Sequence, residues 1–572
     1  METVNSFRGY GRMKELVEDY EYRRKSRQRL IIVGISMLFL IIIISGAAIA
    51  VMVHRQGTNS TTQNPTTSSS SSIKAVCEAT RYPNSCFSSI SSKEGANKTS
   101  NPLEIFKISL QVAMNSLSNV SSWLNSYKSQ TKDKNIMAAL DDCQELFADA
   151  MDTLNDSLVS LQDFDVAKLS SSSSSSSLLI SDLQTWLSAV VTYQETCIDG
   201  FEGDTRRTVE AAMVNSTQLT SNSLAIVAKV LRLLIENFGG FNLNRKLLQV
   251  DERRVVFEEM KLKPNVTVAK DGSGEFKSIT KALELVPKKN MFPFVIYVKE
   301  GVYSEYVEVE KSMWNVTILG DGMYKTVVTG SKNKVAGSTT FKSATFIVSG
   351  RRFTAINMGF VNTAGPDKHQ AVALRSSADQ SVFYRCSFVG FQDTLYTHSL
   401  RQYYRECDIV GTVDFIFGDA SVIFQNCRIM PRQPMQGQAN TITAQGRIDP
   451  NENTGIVIQA STISPFDNVT ADTYLGRPWK VYATTIFMRS VIGEMVDKLG
   501  WLEWEEYVVP PKTIDYAEYH NTGPGSSVAG RVNWPGYRPS ITGNEAKKFG
   551  VDPFIQGSQW IPSTGISFDT IS

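Results

Sequence analysis

The sequence predicts a multidomain chain in which an α-helical domain precedes an all-β domain built as a parallel β-helix. Three observations lead there. Residues 73–239 carry apolar positions at helical spacing. Residues 264–572 switch to short β runs divided by turn signals, and among those runs a single stretch repeats after 21 residues. A length of 572 residues exceeds what one compact domain holds.

Residues 1–29 are a leader ending in Arg23, Arg24, Lys25, Arg27 and Arg29, and residues 30–53 are 24 consecutive positions without a charge. That run is long enough to cross a bilayer, and the flanking cations favour keeping the leader cytosolic. The reading is a signal anchor. A cleaved signal peptide is the alternative, because Ala48-Ile49-Ala50 fits a cleavage site. Both send the remainder into the secretory pathway. Asn-x-Ser/Thr sequons at Asn59, Asn97, Asn119, Asn155, Asn215, Asn265, Asn315 and Asn468, all beyond the apolar run, agree with that compartment. The seven cysteines suggest disulfides with one thiol left over.

Residues 54–72, rich in Ser, Thr, Asn and Gln, read as a flexible stalk. In the helical region Ile105, Leu110, Ala113 and Leu117 recur at helical spacing, as do Met137, Leu140, Leu146 and Met151. The serine run 170–177 reads as a loop. Residues 240–263 form a charged, patternless linker containing Arg245-Lys246-Leu247-Leu248. Its basic residues make it either a processing site or a solvated connector.

In the β region, strands are expected at 294–298, 306–309, 316–319 and 326–329. The repeat sets Cys386, Gly390 and Asp393 over Cys407, Gly411 and Asp414, with Phe383 over Tyr404. Cys427 begins a partial third copy 20 residues on. A period near 20 made of β runs means one coil per repeat, with neighbouring coils pairing about 4.8 Å apart. Asp393 and Asp414 then lie side by side, Gln370 and Gln392 sit on adjacent coils beside them, and Cys407 and Cys427 come close enough for a disulfide, leaving Cys386 as the odd thiol. Two carboxylates so close cannot both ionise freely, which suits one nucleophile and one proton donor. The plainer reading is that repeated Asp merely caps turns. The neighbouring Gln pair and Arg477-Pro478-Trp479 favour a catalytic site.

These segments carry a resemblance. Gly301-Val-Tyr-Ser-Glu305, Gln370-Ala-Val-Ala-Leu-Arg375, Gly390-Phe-Gln-Asp-Thr-Leu-Tyr396, Gly411-Thr-Val-Asp-Phe-Ile-Phe-Gly418 and Leu475-Gly-Arg-Pro-Trp479 closely resemble the signature segments of plant pectin methylesterases. Cys77 with Tyr82-Pro83 and Cys86, Asp142-Cys143 with Glu145-Leu146, and Trp186-Leu187-Ser188-Ala189 with Thr196-Cys197 resemble the pectin methylesterase inhibitor domain. The resemblance implies a four-helix-bundle prodomain bridged Cys77–Cys86 and Cys143–Cys197, followed by a right-handed parallel β-helix enzyme. It also implies cutting by a subtilisin-like protease at Arg245-Lys246-Leu247-Leu248, and delivery of the mature enzyme to the cell wall. Its implied mechanism has Asp414 attack the C6 methyl ester of a galacturonosyl unit, Gln392 and Gln370 stabilise the oxyanion, Asp393 serve as acid then base, and Arg477 orient Asp414. Thr340 and Trp479, with Gln370 and Arg477, would contact substrate. One departure is Asp419, where the family usually has Asn.

Other chemistries fit less well. No Gly-x-Ser-x-Gly elbow accompanies His369, His398 or His520, and no His/Cys cluster has metal-ligand spacing. No cofactor or metal is expected. A lyase or polygalacturonase would need a calcium-binding carboxylate cluster, or an Asp pair with a histidine. A catalytically idle regulator would have lost Asp393, Asp414 or Arg477. With 58 Lys+Arg against 57 Asp+Glu, a nucleic-acid partner held by charge is disfavoured. The expected partners are methyl-esterified pectin, the processing protease, separate inhibitor proteins, and a membrane before processing.

Overall fold

A computed structural model describes residues 66–96, 99–162, 173–234, 263–504 and 509–571. The apolar run 30–53, the sequons Asn59 and Asn97, and the motif at 245–248 lie outside the described residues. Among the described residues no helix is long and apolar enough to cross a membrane.

Four long helices make a bundle: α1 (Pro102–Gln130), α2 (Lys134–Ser160), α3 (Ser173–Asp199) and α4 (Gly203–Ala225). Asn101 and Asp133 cap the first two by accepting from backbone amides two or three residues on, at 2.8–3.2 Å. Ile105, Leu110, Ala113, Leu117, Leu140 and Leu146 face the core as the spacing predicts, whereas Met137 is exposed. Two expectations change here. A helix already spans Thr66–Glu78 within the expected stalk, anchored where Ile73, Val76 and Cys77 bury. The serine run is not wholly loop, because α3 starts at Ser173. Serine is only mildly unfavourable in a helix, and the buried Ile180 and Leu183 that follow decide the matter. Cys77–Cys86 and Cys143–Cys197 are bridged, the second stapling α2 to α3.

The rest is a parallel β-helix. Among the described residues its strands form sheets of eleven, eight and seven, every pairing parallel. The strand expectations at 294–298, 316–319 and 326–329 match Phe294–Val298, Val316–Gly320 and Thr326–Gly330 closely. Ser387 pairs with Asp408 and Asp408 with Arg428, so the register steps by 21 and then by 20, as the repeat requires. Inside, Phe383, Tyr404 and Phe424 stack with ring centroids 4.6 Å apart at each step. The repeated glycine has a steric cause: a Cβ on Gly411 would stand 2.2 Å from Phe415 Cβ.

The expected Cys407–Cys427 bridge is absent: Cys386, Cys407 and Cys427 are all free and buried. Stacked positions on parallel strands project their Cβ atoms the same way instead of toward each other, which does not suit disulfide geometry. Each thiol instead donates to a carbonyl of the coil below, Cys407 to Phe383 at 3.3 Å and Cys427 to Tyr404 at 3.7 Å. Burial pushes both of these thiols well above the usual range, so they stay protonated. Of the described sequons Asn119, Asn155, Asn215, Asn265 and Asn468 are exposed. Asn315 is half-buried, and its side-chain amide donates to the Asn290 carbonyl at 2.6 Å.

Candidate active site

The seven-stranded sheet positions the chemistry. Along its strands residues alternate between the coil interior and the outer face, so Leu374, Leu395 and Ile416 enter the β-helix core. Their neighbours Arg375, Tyr396, Phe417, Ala444 and Arg477 stand in register along one outer row. The two aspartates precede strands of this sheet, at a corner where the chain turns into it. Both sit in the left-handed region, Asp393 at φ 62° and Asp414 at φ 52°, which Asp tolerates better than most residues. The ladder continues through the corner, with the Asp393 amide donating to the Val413 carbonyl at 3.0 Å.

Arg477 grips Asp414 bidentately, Nε to Oδ1 at 2.9 Å and Nη2 to Oδ2 at 2.7 Å. Thr441 adds a third donor, its hydroxyl reaching Asp414 Oδ1 at 2.6 Å while accepting the Asp414 amide at 2.8 Å. Asp414 is thus held as an acceptor in one orientation. Asp393, 7% exposed, is different. Burial, and then the Asp414 charge, push its carboxyl well above the usual range, against a smaller opposing effect of Arg477. A carboxyl that burial pushes toward its neutral form stands beside one clamped by an arginine, the pairing that nucleophilic attack with proton donation needs.

The other expected residues fall around this pair. Ala371 N donates to the Gln392 carbonyl at 3.3 Å, so the Gln370 and Gln392 segments occupy adjacent coils. The step between these coils is 21, not 22, which places Ala371 rather than Gln370 opposite Gln392. Trp479 is half-buried, its ring 6.3 Å from Phe417. Thr340 precedes Phe341, whose ring lies 3.3 Å beneath the Arg375 guanidinium at the other end of the row.

Two neighbours escaped sequence reasoning. Thr441 belongs to the same ladder as Asp393 and Asp414, but Ile416 pairs with Thr443, so that coil is 27 residues long and breaks the 21-residue period. Trp504 packs under the Arg477 guanidinium at 4.3 Å and lies outside every repeated segment.

The outer row is covered by the helical domain. Ile347, Tyr396, Phe417 and Ala444 join one hydrophobic cluster with the bundle core. Around it, helix α2 offers Glu145 to Lys342 and Arg375, and α3 offers Glu195 and Asp199 to Lys480. Trp186 donates to Asp379 at 3.2 Å, and Thr196 bonds His398 Nε2 at 3.0 Å. Burial drives the His398 imidazole well below its usual range, which keeps it neutral. The unusual Asp419 accepts from Thr192 at 2.7 Å, Thr454 at 2.6 Å and Gln445 at 2.9 Å, so this carboxylate is a contact between the domains.

Comparison with known proteins agrees with this geometry. Residues 265–558 match the family described as Pectinesterase, and residues 71–226 match Plant invertase/pectin methylesterase inhibitor. Pectinesterase 3 of Phaseolus vulgaris is 50% identical over 590 aligned residues, covering all of both chains. Pectinesterase 1 of Arabidopsis thaliana is 46% identical over 99% of each. The solved structure of pectin methylesterase from carrot, 46% identical, aligns with a TM-score of 0.53 over 54% of this chain and 99% of its own. The stretch aligned to that carrot chain, 54% of this chain, is about the length of the β-helix half, and the largest core cluster here lies wholly within residues 266–537, so the β-helix half has a hydrophobic core of its own. With both halves matched in order and relatives similar along its entire length, the chain belongs to the pectinesterase family, in the form that carries an inhibitor-type helical domain ahead of the β-helix.

Proposed function

We propose that the β-helix half hydrolyses C6 methyl esters of homogalacturonan, releasing methanol and leaving free carboxylates in the cell wall. The observation that carries this reading is the bidentate Arg477–Asp414 clamp beside the buried Asp393, whose carboxyl burial pushes well above the usual range. Asp414 attacks the ester carbonyl, and the developing oxyanion is met by the Gln392 and Gln370 side-chain amides. As the C–O bond to the methoxy group breaks, Asp393 gives its proton to departing methanol. Water then attacks the acyl-enzyme, Asp393 takes back a proton, and Asp414 is freed. Arg477 and Thr441 keep Asp414 aimed throughout. Trp479 and Thr340 contact the polymer.

Residues 73–239 act as an inhibitory or chaperone-like prodomain, since the bundle lies over the row that ends at Arg477. Residues 240–263 are the linker, cut at Arg245-Lys246-Leu247-Leu248 by a subtilisin-like protease. Residues 264–572 are the enzyme. The precursor is held in a secretory membrane by residues 30–53, behind the 1–29 leader and the 54–72 stalk, until that cut releases it. Separate inhibitor proteins would take the place the bundle leaves. The exposed sequons are available for glycosylation.

The test is methanol release from methylated pectin by residues 264–572, with polymer length followed in parallel. Methanol without chain shortening is expected. Shortening without methanol would transfer the site to a different pectin-cleaving class. Equal activity of the full-length chain and the fragment would remove the inhibitory role of the bundle. N-terminal sequencing of the secreted product checks the cut.

A further inference from the structure

Lys480 follows Trp479 and lies three residues beyond Arg477. Its ammonium donates to Glu195 Oε1 and Asp199 Oδ1, each at 2.6 Å, and its side chain is only 12% exposed. Among the described residues both of its ion-pair partners come from helix α3 of the bundle. Arg477 is different, since its carboxylate partner Asp414 belongs to the β-helix and stays when the bundle leaves. Removing the bundle therefore strips Lys480 of both counter-charges while leaving the Asp414 clamp intact.

The bundle's polar groups are sorted by what they face. To the cations of this face, Lys480, Lys342 and Arg375, it presents carboxylates. To the buried acids Asp379 and Asp419 it presents an indole N–H and a hydroxyl. The groups over Lys480 are thus the same chemical group that de-esterified pectin carries at C6.

We infer that in the freed β-helix half Lys480 binds the carboxylate of a de-esterified galacturonate unit close to the one being cleaved, and that Glu195 and Asp199 occupy this position in the full-length chain. The inference rests on the pectinesterase reading above. A fully esterified chain offers no anion to Lys480, whereas a chain already cleaved nearby does. A lysine ammonium is a compact point charge, suited to a single carboxylate whose orientation varies along a flexible polymer. The site would therefore favour stretches already partly de-esterified, and unesterified oligomers would compete for it.

The experiment uses residues 264–572 and follows methanol release from fully esterified pectin in the presence of unesterified oligogalacturonate. Wild type is expected to be inhibited. Lys480→Met should raise the inhibition constant about fivefold, the size of one partly screened ion pair, and Lys480→Arg should restore it to within about twofold. KM for partly de-esterified pectin should rise more in Lys480→Met than KM for the fully esterified polymer, and raising the salt should narrow that gap. Should Lys480→Met fail to fold, by circular dichroism, Lys480→Gln carries the same comparison. An active fragment whose inhibition is indifferent to both neutral replacements overturns this inference alone and makes Lys480 an interdomain ion pair only. A wild-type fragment that releases no methanol overturns the pectinesterase reading, and this inference with it.

Discussion

The β-helix and the helical bundle reach order by opposite routes. In the β-helix each residue's neighbour is the residue one coil away, so Phe383, Tyr404 and Phe424 stack and the thiols of Cys386, Cys407 and Cys427 need no bridge. In the bundle, neighbours come from different helices, and two disulfides tie it together. The polar residues differ in the same way. The β-helix keeps its functional acids for itself, Asp393 on one coil and Asp414 on the next, whereas the bundle turns Asp142, Glu145, Trp186 and Thr196 toward its partner. A solenoid can therefore be read from its own period. A docking domain is read only against what it covers.

The largest effect that would break this contrast lies in the β-helix. Asp393→Asn should lower kcat for methanol release by about 10³–10⁴ while leaving the Asp414 clamp in place. Because burial keeps Asp393 protonated beyond the ordinary carboxylate range, wild-type activity should fall only as pH rises through that raised pKa. The variant's residual rate should lack that basic limb.

In the bundle, replacing Cys143 and Cys197 together by Ser should remove about 2–4 kcal/mol, seen as an early thermal transition of the helical domain. Cys407→Ser in the β-helix should cost less, about 1 kcal/mol, the worth of a small polar change at a buried site that keeps a donor. Equal losses would erase the distinction between stapled and stacked order.

Thr441→Val should cost about 1.5–3 kcal/mol in kcat/KM, the worth of a hydrogen bond to a charged group, with Thr441→Ser restoring most of it. Recovery by Val as complete as by Ser would reduce Thr441 to a packing residue.

The smallest effect is at the seam. Burial pushes Asp142 up to about 6, against a hydrogen bond from Thr339 and the Arg375 and Lys342 charges. The docked state thus favours the neutral acid, so Asp142 does not oppose docking below its ordinary value of 3.8, opposes it increasingly as pH rises from there, and opposes it fully above about 6. After cleavage of the linker, wild-type halves at about pH 7 should separate at least about tenfold more readily than those of Asp142→Asn, the difference shrinking as pH falls below about 6 and vanishing at about pH 4. Co-elution of the fragments measures this.

The legible stretches of the sequence were those governed by a period. The 21-residue step placed Asp393 beside Asp414, and the strand runs near 294, 316 and 326 match the strands, because parallel stacking converts sequence distance directly into adjacency. Thr441 was hidden because its coil is 27 residues long, and the Cys407–Cys427 expectation failed because adjacency says nothing of the direction in which a side chain points. Which aspartate attacks is what the resemblance implies, and the proposal that it is Asp414 is supported by the Arg477 and Thr441 contacts to that carboxyl group. Lys480, Glu195 and Asp199 had no common pattern at all, since they meet only across the domain seam.

The central claim is that Asp414, and not Asp393, forms the covalent bond. Quenching the turning-over 264–572 fragment with hydroxylamine would convert an aspartyl anhydride to a hydroxamate that peptide mapping can locate. The account predicts the hydroxamate at Asp414, and its loss in Asp414→Asn together with methanol release. A hydroxamate at Asp393, or methanol release that survives Asp414→Asn, would contradict it.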